Sequence, residues 1–317
     1  MHIVKVDRTK AQKWAQEAVT EGVIETENQE IALDPVVSGF THPLVDISKL
    51  WGDSRLNASF ESLLFSLKHP YVQDDYALFE KNSSQIVNET NPEEIEPTNS
   101  RIVGLRAGIS MVSGQTVSVN PRIAYSAVSS NRISMAPLYL MKLSEVQFLR
   151  AEGAIRGWSM NGTTQELYQS GVRTSFEVAG VSGADSYLSD DTSVPADYSD
   201  PATPGNNISA SSDITIKWDE EAGFEEKLER IITQKWLAIY PDGQEAWSEF
   251  RRTGYPKVFP VVINNSGGKV NTDRQVRRIP FPSTEYRDNN ANVLQAITLL
   301  GGEDTGGTSL WWDKKNN

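Results

Sequence analysis

Residues 142–157, KLSEVQFLRAEGAIRG, constrain the fold more than any other stretch of the chain. Wound as an α-helix, this segment turns apolar side chains over most of its circumference, and Glu145, Glu152 and Arg156 share the arc that remains. A helix apolar nearly all round must be covered by other elements. The segment therefore predicts a nearly buried helix at the centre of a packed domain.

The neighbouring patterns supply helices to cover it. Ala11, Trp14, Ala15, Ala18 and Val19 recur at helical spacing, and Gly22 follows as a stop. Leu56, Phe60, Leu63, Leu64 and Leu67 repeat the pattern behind Asp53, a suitable N-cap. Thr163 and Glu166 form a capping box that opens a helix with Tyr168, Val172, Phe176 and Ala179 on its buried stripe, and Gly180 ends it. Phe224, Leu228, Ile231, Ile232, Trp236, Ile239 and Tyr240 lie on one side of a helix over 224–240. Pro241-Asp242-Gly243 is a tight turn, and a helix from Gln244 to about Thr253 then carries Trp247 and Phe250 inward. A last short helix follows Pro282.

Between these lie long irregular stretches. RIVGLRAGIS and QTVSVNPRIAYSAV can hold a few short strands, and the Asp-, Ser- and Pro-rich residues 181–213 read as a loop rather than a packed element. The expected fold is mainly α, built of tetratricopeptide-like helix pairs with long irregular loops and a few short strands. No exact internal repeat links the pairs at 142–179 and 224–253.

Composition removes several functions. The 317 residues allow one large domain or two ordinary ones. No apolar run approaches the roughly 20 residues of a membrane-spanning helix. MHIVKVDRTK is not a signal peptide, so the chain is expected either to be cytoplasmic or to lack the front of a longer protein. A net charge of -12 argues against nucleic acid or anionic lipid as partner. With no cysteine, there are no disulfides, thiolate metal sites or cysteine nucleophiles. His2, His42 and His69 match no metal spacing and read as ordinary surface or turn residues. No nucleophile elbow, zincin, phosphate-loop or dinucleotide motif is present. Adjacent carboxylates such as Asp74-Asp75 are expected by chance among 42 acidic residues. Asp185, Asp190, Asp191 and Asp197 offer oxygen ligands for calcium, but their spacing is not that of an EF-hand, and a solvated acidic loop is the preferred reading. Trp14, Trp236 and Trp247 lie on helix stripes and read as core. Trp51, Tyr71, Tyr76, Tyr125, Tyr187, Tyr198, Trp218, Trp311 and Trp312 lie in loops or at element ends, where the expectation of burial is weaker.

Five segments then carry a resemblance. KWLAIYPDGQEAWSEFRRTGYP (235–256) and RRIPFPSTEYRDNNANV (277–293) resemble the C-terminal signature of the SusD/RagB family. PLYLMKLSEVQFLRAEGAIRGW (137–158) resembles its central helix, with Glu145 and Glu152 at the Ser-Glu and Ala-Glu steps. ISKLWGDSRLNASFESLL (47–64) and VGLRAGIS (103–110) are similar to segments of its lipoprotein branch, and the order of all five agrees along nearly the whole chain. The step that often follows the helix near position 64, Tyr-x-Asp-Pro-Arg, is absent from LKHPYVQDDYALF.

The resemblance implies a SusD-like, mainly α domain over 1–317, with the N-terminal part of the family domain absent. It implies an outer-membrane lipoprotein on the cell surface, held in the membrane only through a lipid anchor missing from this chain. Such a protein binds glycan or another nutrient, caps a SusC-like TonB-dependent transporter, needs no cofactor and is not an enzyme. It also implies that Glu145, Glu152, Trp236, Trp247, Arg251, Arg252 and Arg278 frame the scaffold. Arg251 or Arg252 is expected to pair with Glu229 or a helix-end carbonyl. Arg277, Arg278 and Ile279-Pro280 are expected to seat the C-terminal segment. Ligand contacts are expected in loops before Pro137: Trp51, Tyr71, Tyr76 and Tyr125 for stacking, with Asp74 and Asp75 accepting from hydroxyls. The alternatives are a tetratricopeptide-like protein- or peptide-binding module without sugar binding, and a hydrolase whose carboxylates the fold brings together. An apolar face near Trp14 is expected to give dimerisation or an incomplete groove.

Overall fold

The computed structural model describes residues 1–47, 54–72, 79–81, 102–109 and 125–313. Among these residues twelve helices follow in chain order. They begin with α1 (Arg8–Glu21), α2 (Pro35–Ser38), α3 (Pro43–Val45), α4 (Ala58–Ser66), α5 (Ser130–Met135) and α6 (Leu143–Ile155). They continue with α7 (Thr164–Ala179), α8 (Ala184–Leu188), α9 (Phe224–Ala238), α10 (Gly243–Thr253), α11 (Ser283–Asp288) and α12 (Asn290–Leu300). Two short strands, β1 (Ile31–Leu33) and β2 (Leu138–Met141), pair antiparallel. None of the described helices is long and apolar enough to cross a membrane.

The central helix is the expected one. In α6, Leu143, Val146, Phe148 and Ala151 are buried, and so are Glu145 and Glu152. It packs most extensively against α7 and then α9. The α6–α7 approach is close because Gly171 faces the Phe148 ring: a Cβ there would lie 2.8 Å from two ring carbons. Helix α7 starts at the Thr163–Glu166 capping box and ends at Gly180 in the left-handed region, φ 69°. Asp242 caps α10 by accepting from the backbone of Gln244 and Glu245. One cluster joins α4, α6, α7, α8 and α9 through Phe60, Leu64, Phe148, Tyr168, Phe176, Tyr187 and Ile231.

The polar arc of α6 meets the helix pair α9–α10. Arg252 donates to Glu152 at 2.6 and 2.7 Å and to Glu249 at 2.5 Å, and all three side chains are fully buried. Glu152 also accepts from Arg156 at 2.6 Å. Lys235, 1% exposed, bonds Glu245 at 2.6 Å and lies 3.4 Å from both Glu145 and Glu249. Burial pushes the Glu249 carboxyl up, but Arg252 and Lys235 outweigh it and bring it to about 2. His2, Glu245 and Glu249 converge closely enough to hold a cation, and the Lys235 ammonium already fills that role. The expected pairing with Glu229 does not form: Glu229 accepts from Ser212 instead.

Arg251 and Arg277 join α10 to the C-terminal segment. Arg251 donates to the Arg277 carbonyl at 2.8 Å, Arg277 donates back to the Arg251 carbonyl, and Arg277 grips Asp313 at 2.5 and 2.7 Å. Trp247 donates to the Val276 carbonyl at 3.0 Å and lies under the Arg251 guanidinium at 3.6 Å. Arg278 pairs with Asp304, which also accepts from Tyr286 at 2.7 Å. Ile279 takes no part in this seating, being 76% exposed.

Several expectations fail for local reasons. Trp14 is half exposed and Phe224 is exposed, although Ala11, Ala15 and Val19 of α1 and Leu228, Ile231 and Ile232 of α9 pack inward. Trp236 and Trp247 are half-buried rather than core. Asn57, not Asp53, caps the helix at 58, and Leu56 precedes it. Asp53 itself falls outside the described residues. Residues 181–213 are mainly irregular and exposed, as expected of a loop, but α8 and a few side chains anchor them to the core. Tyr187, Leu188, Tyr198, Asp200 and Asn206 are buried there, because each tyrosine hydroxyl finds a partner inside. His42 and His69 are buried, not surface residues. Among the described residues of the two stretches expected to hold strands, Leu105 bridges to Asn57 and Val128 to Phe79; residues 110–124 lie outside the described residues.

Candidate functional site

A cavity of ≈ 400 Å³ opens where the C-terminal ends of α7 and α9 meet α5 and β2. Tyr71, Tyr139 and Tyr240 contribute rings to its wall, with Ile133, Lys142 and Ser144 between them. The chain reaches this arrangement by simple local rules. Pro137 starts an extended segment whose alternation turns Tyr139 toward the cavity, and Lys142 and Ser144 follow at the start of α6. Tyr240 ends the stripe of α9, just before Pro241.

Each wall residue is braced from behind. His69 lies 4.3 Å from Tyr71, 5.2 Å from Phe176 and 5.4 Å from Tyr187, ring to ring. Complete burial pushes its imidazole down to about 3, so it supports Tyr71 as a neutral ring. Tyr240 packs on Phe60 at 5.2 Å and on Phe79 at 5.6 Å. The Lys142 ammonium donates to the carbonyls of Ala238 and Tyr240 at 3.0 and 2.9 Å, closing the end of α9. Burial pushes this ammonium down to about 8, against the pull of Glu30, Glu145 and Asp242. It also lies 5.0 Å from the Tyr139 ring.

Two features of the lining bear on chemistry. The Ser144 hydroxyl, in a side chain 1% exposed, has no hydrogen-bond partner among the described residues. A buried polar group left unpaired is costly unless a ligand or water completes it. Among the described residues the lining contains no Asp or Glu. Two described carboxylates that act on Lys142 are engaged elsewhere: Glu30 accepts from the Leu143 backbone at 2.7 Å and Glu145 faces Lys235. The arrangement offers aromatic faces, a hydroxyl and a cation for binding.

Of the six residues expected to touch ligand, Trp51, Asp74, Asp75 and Tyr76 lie outside the described residues. Tyr71 lines the cavity, although it is buried rather than exposed. Tyr125, 2% exposed, stands apart from it and donates to Asp200 at 3.0 Å. Tyr139, Lys142, Ser144 and Tyr240 were missed because each fell in or beside a segment read as helix; their clustering depends on two helix ends meeting in space. The acidic loop residues have individual partners. Asp190 accepts from Thr192 and Ser193, Asp191 pairs with Lys217, Asp185 with Arg173, and Asp197 accepts from Ala210.

Comparison with known proteins places this geometry. The family described as SusD-like, Susd and RagB outer membrane lipoprotein, matches residues 1–313. No curated protein sequence gives a significant match. A chitin-binding SusD homologue from Flavobacterium johnsoniae is 38% identical, with a TM-score of 0.86 over 99% of this chain and 61% of its own. A SusD homologue from Bacteroides thetaiotaomicron is 36% identical, TM-score 0.85, over 100% and 63%. One from Bacteroides vulgatus is 34% identical, TM-score 0.88, over 100% and 61%. The chain thus spans about three-fifths of the length of these relatives. With the buried α6 and the α9–α10 pair carrying the motifs that first suggested it, the chain belongs to the SusD/RagB family.

Proposed function

We propose that this chain is the glycan-binding part of a non-catalytic nutrient receptor on the outer-membrane surface, acting with a SusC-like TonB-dependent transporter. The observation that carries the reading is the tyrosine-walled cavity in which, among the described residues, the Ser144 hydroxyl has no partner and no carboxylate lines the wall. Sugar rings present C–H faces that stack on tyrosine, and their hydroxyls would complete Ser144 and meet the Lys142 ammonium. The cavity volume falls in the range of about 300–1,000 Å³ usual for small-ligand sites. Family membership supports the outer-membrane location and the transporter partner. The Flavobacterium relative binds chitin, so β-linked N-acetylglucosamine oligomers are the first ligands to try.

Affinity electrophoresis against a panel of polysaccharides tests the reading. A glycan that retards the protein, and retards Tyr139→Ala much less, is the expected result. Tyr139 is half-buried, so this variant should keep the fold. Retardation by no glycan, or equal retardation of the variant by every one that binds, contradicts the assignment of this cavity.

A further inference from the structure

A second hollow of ≈ 640 Å³ lies between the end of α10, the loop at 257–260 and the segment 273–277. It shares no lining residue with the tyrosine cavity, so a ligand held here is independent of the glycan-binding role proposed for that cavity. Four cationic residues line it, Arg251, Lys257, Arg274 and Arg277, against two carboxylates, Asp273 and Asp313. This local excess of positive charge stands in a chain whose net charge is -12.

Carboxylate is in short supply here. Arg277 holds Asp313 with two bonds, and Arg274 reaches the same carboxylate only at 3.9 Å. Arg251 is 7% exposed and has no carboxylate at ion-pair distance among the described residues. Its Nη groups donate to the Arg277 carbonyl and to Ser248 Oγ, and its Nε has no partner among the described residues. Trp247 and Trp312 face its guanidinium at 3.6 and 4.8 Å. Those rings offset part of the desolvation of the cation but do not neutralise it. An under-compensated group of cations in a concave site favours an anion strongly.

We propose that this hollow binds the oxyanion group, carboxylate or sulfate, of an acidic saccharide. Guanidinium groups match the planar geometry of such groups with paired hydrogen bonds. Phe250 in the same wall supplies an apolar face for the sugar that bears the charge. The volume again lies within about 300–1,000 Å³.

The test is calorimetry with an oligogalacturonate, a sulfated heparin disaccharide, neutral oligosaccharides of equal length and inorganic sulfate, at low and high salt. The variants are Lys257→Gln and Arg274→Gln, whose side chains are exposed and half-buried, with melting temperature as the check on folding. Binding of one acidic sugar, weakened about tenfold by either variant and further by salt, is the expected result. The galacturonate and heparin arms separate carboxylate from sulfate. No binding of either acidic sugar, binding of inorganic sulfate alone, or unchanged affinity in both variants overturns the proposal.

Discussion

Arg252→Met removes the cation on which two buried carboxylates depend. The guanidinium makes three bonds of 2.5–2.7 Å to Glu152 and Glu249, and the side chains of all three residues are at most 1% exposed. Removing one member of such a cluster leaves uncompensated buried charge, at a cost of about 3–5 kcal/mol. At roughly 2 °C per kcal/mol for a chain of this size, the melting temperature should fall by about 6–10 °C. The pH dependence gives a sharper check. In the wild type, burial raises the Glu249 and Glu245 carboxyls, but their cationic partners bring both to about 2, below the ordinary 4.5. Their contribution is therefore present above about pH 4.5 and lost as pH falls toward 2. In the variant, Glu152 and Glu249 face each other without Arg252, so one carboxyl must be raised. Protonating it then relieves the repulsion, and the deficit against wild type should shrink as pH falls from 8 to about 5. Urea denaturation of both proteins across that range measures the difference. A deficit below about 1 kcal/mol, or one that grows on acidification, would refute the argument.

Other consequences rest on single contacts. Gly171→Ala gains about 1 kcal/mol of helix propensity but drives a Cβ to 2.8 Å from the fully buried Phe148 ring, so thermal denaturation should show a net loss of about 1–2 kcal/mol. Thr163→Ala removes the capping box of α7 and should cost about 1 kcal/mol in the same assay. Burial lowers His69 from 6.5 to about 3, so the unfolded chain binds the extra proton first. Wild-type stability should fall as pH drops below 6.5, and His69→Gln should lack that slope between pH 6.5 and 5 in denaturant titrations.

How much of this was legible depends on the kind of information needed. The helices over 143–155, 164–179 and 224–238 follow from local periodicity, and Thr163, Asp242 and Gly180 mark ends in the sequence itself. The partners of the charged arc on α6 were not legible. Glu152 meets Arg252 across 100 positions, and a nearer acid, Glu229, offered an equally plausible pairing. Loop residues such as Tyr187, Tyr198 and Trp218 misled for a physical reason: amphipathic aromatics pack inward whenever the hydroxyl or indole finds a partner, as Tyr187 does at Gln234 and Trp218 at Glu220. Conversely, Trp14 itself is half exposed although Ala11, Ala15 and Val19 of the same stripe pack on the core, since periodicity tells which face is apolar and not how far the covering elements reach. Among the described residues that line the cavity, only Tyr71 was foreseen as a ligand candidate. The others arrive there because the start of α6 and the ends of α7 and α9 converge, a fact of tertiary structure.

The most direct test of the central claim is the position of a bound oligosaccharide. A crystal of the protein soaked with the glycan selected by electrophoresis should show sugar rings against Tyr71, Tyr139 and Tyr240, with a hydroxyl within hydrogen-bond distance of Ser144 Oγ. Sugar density found only elsewhere, with this cavity unoccupied at saturating ligand, would contradict it.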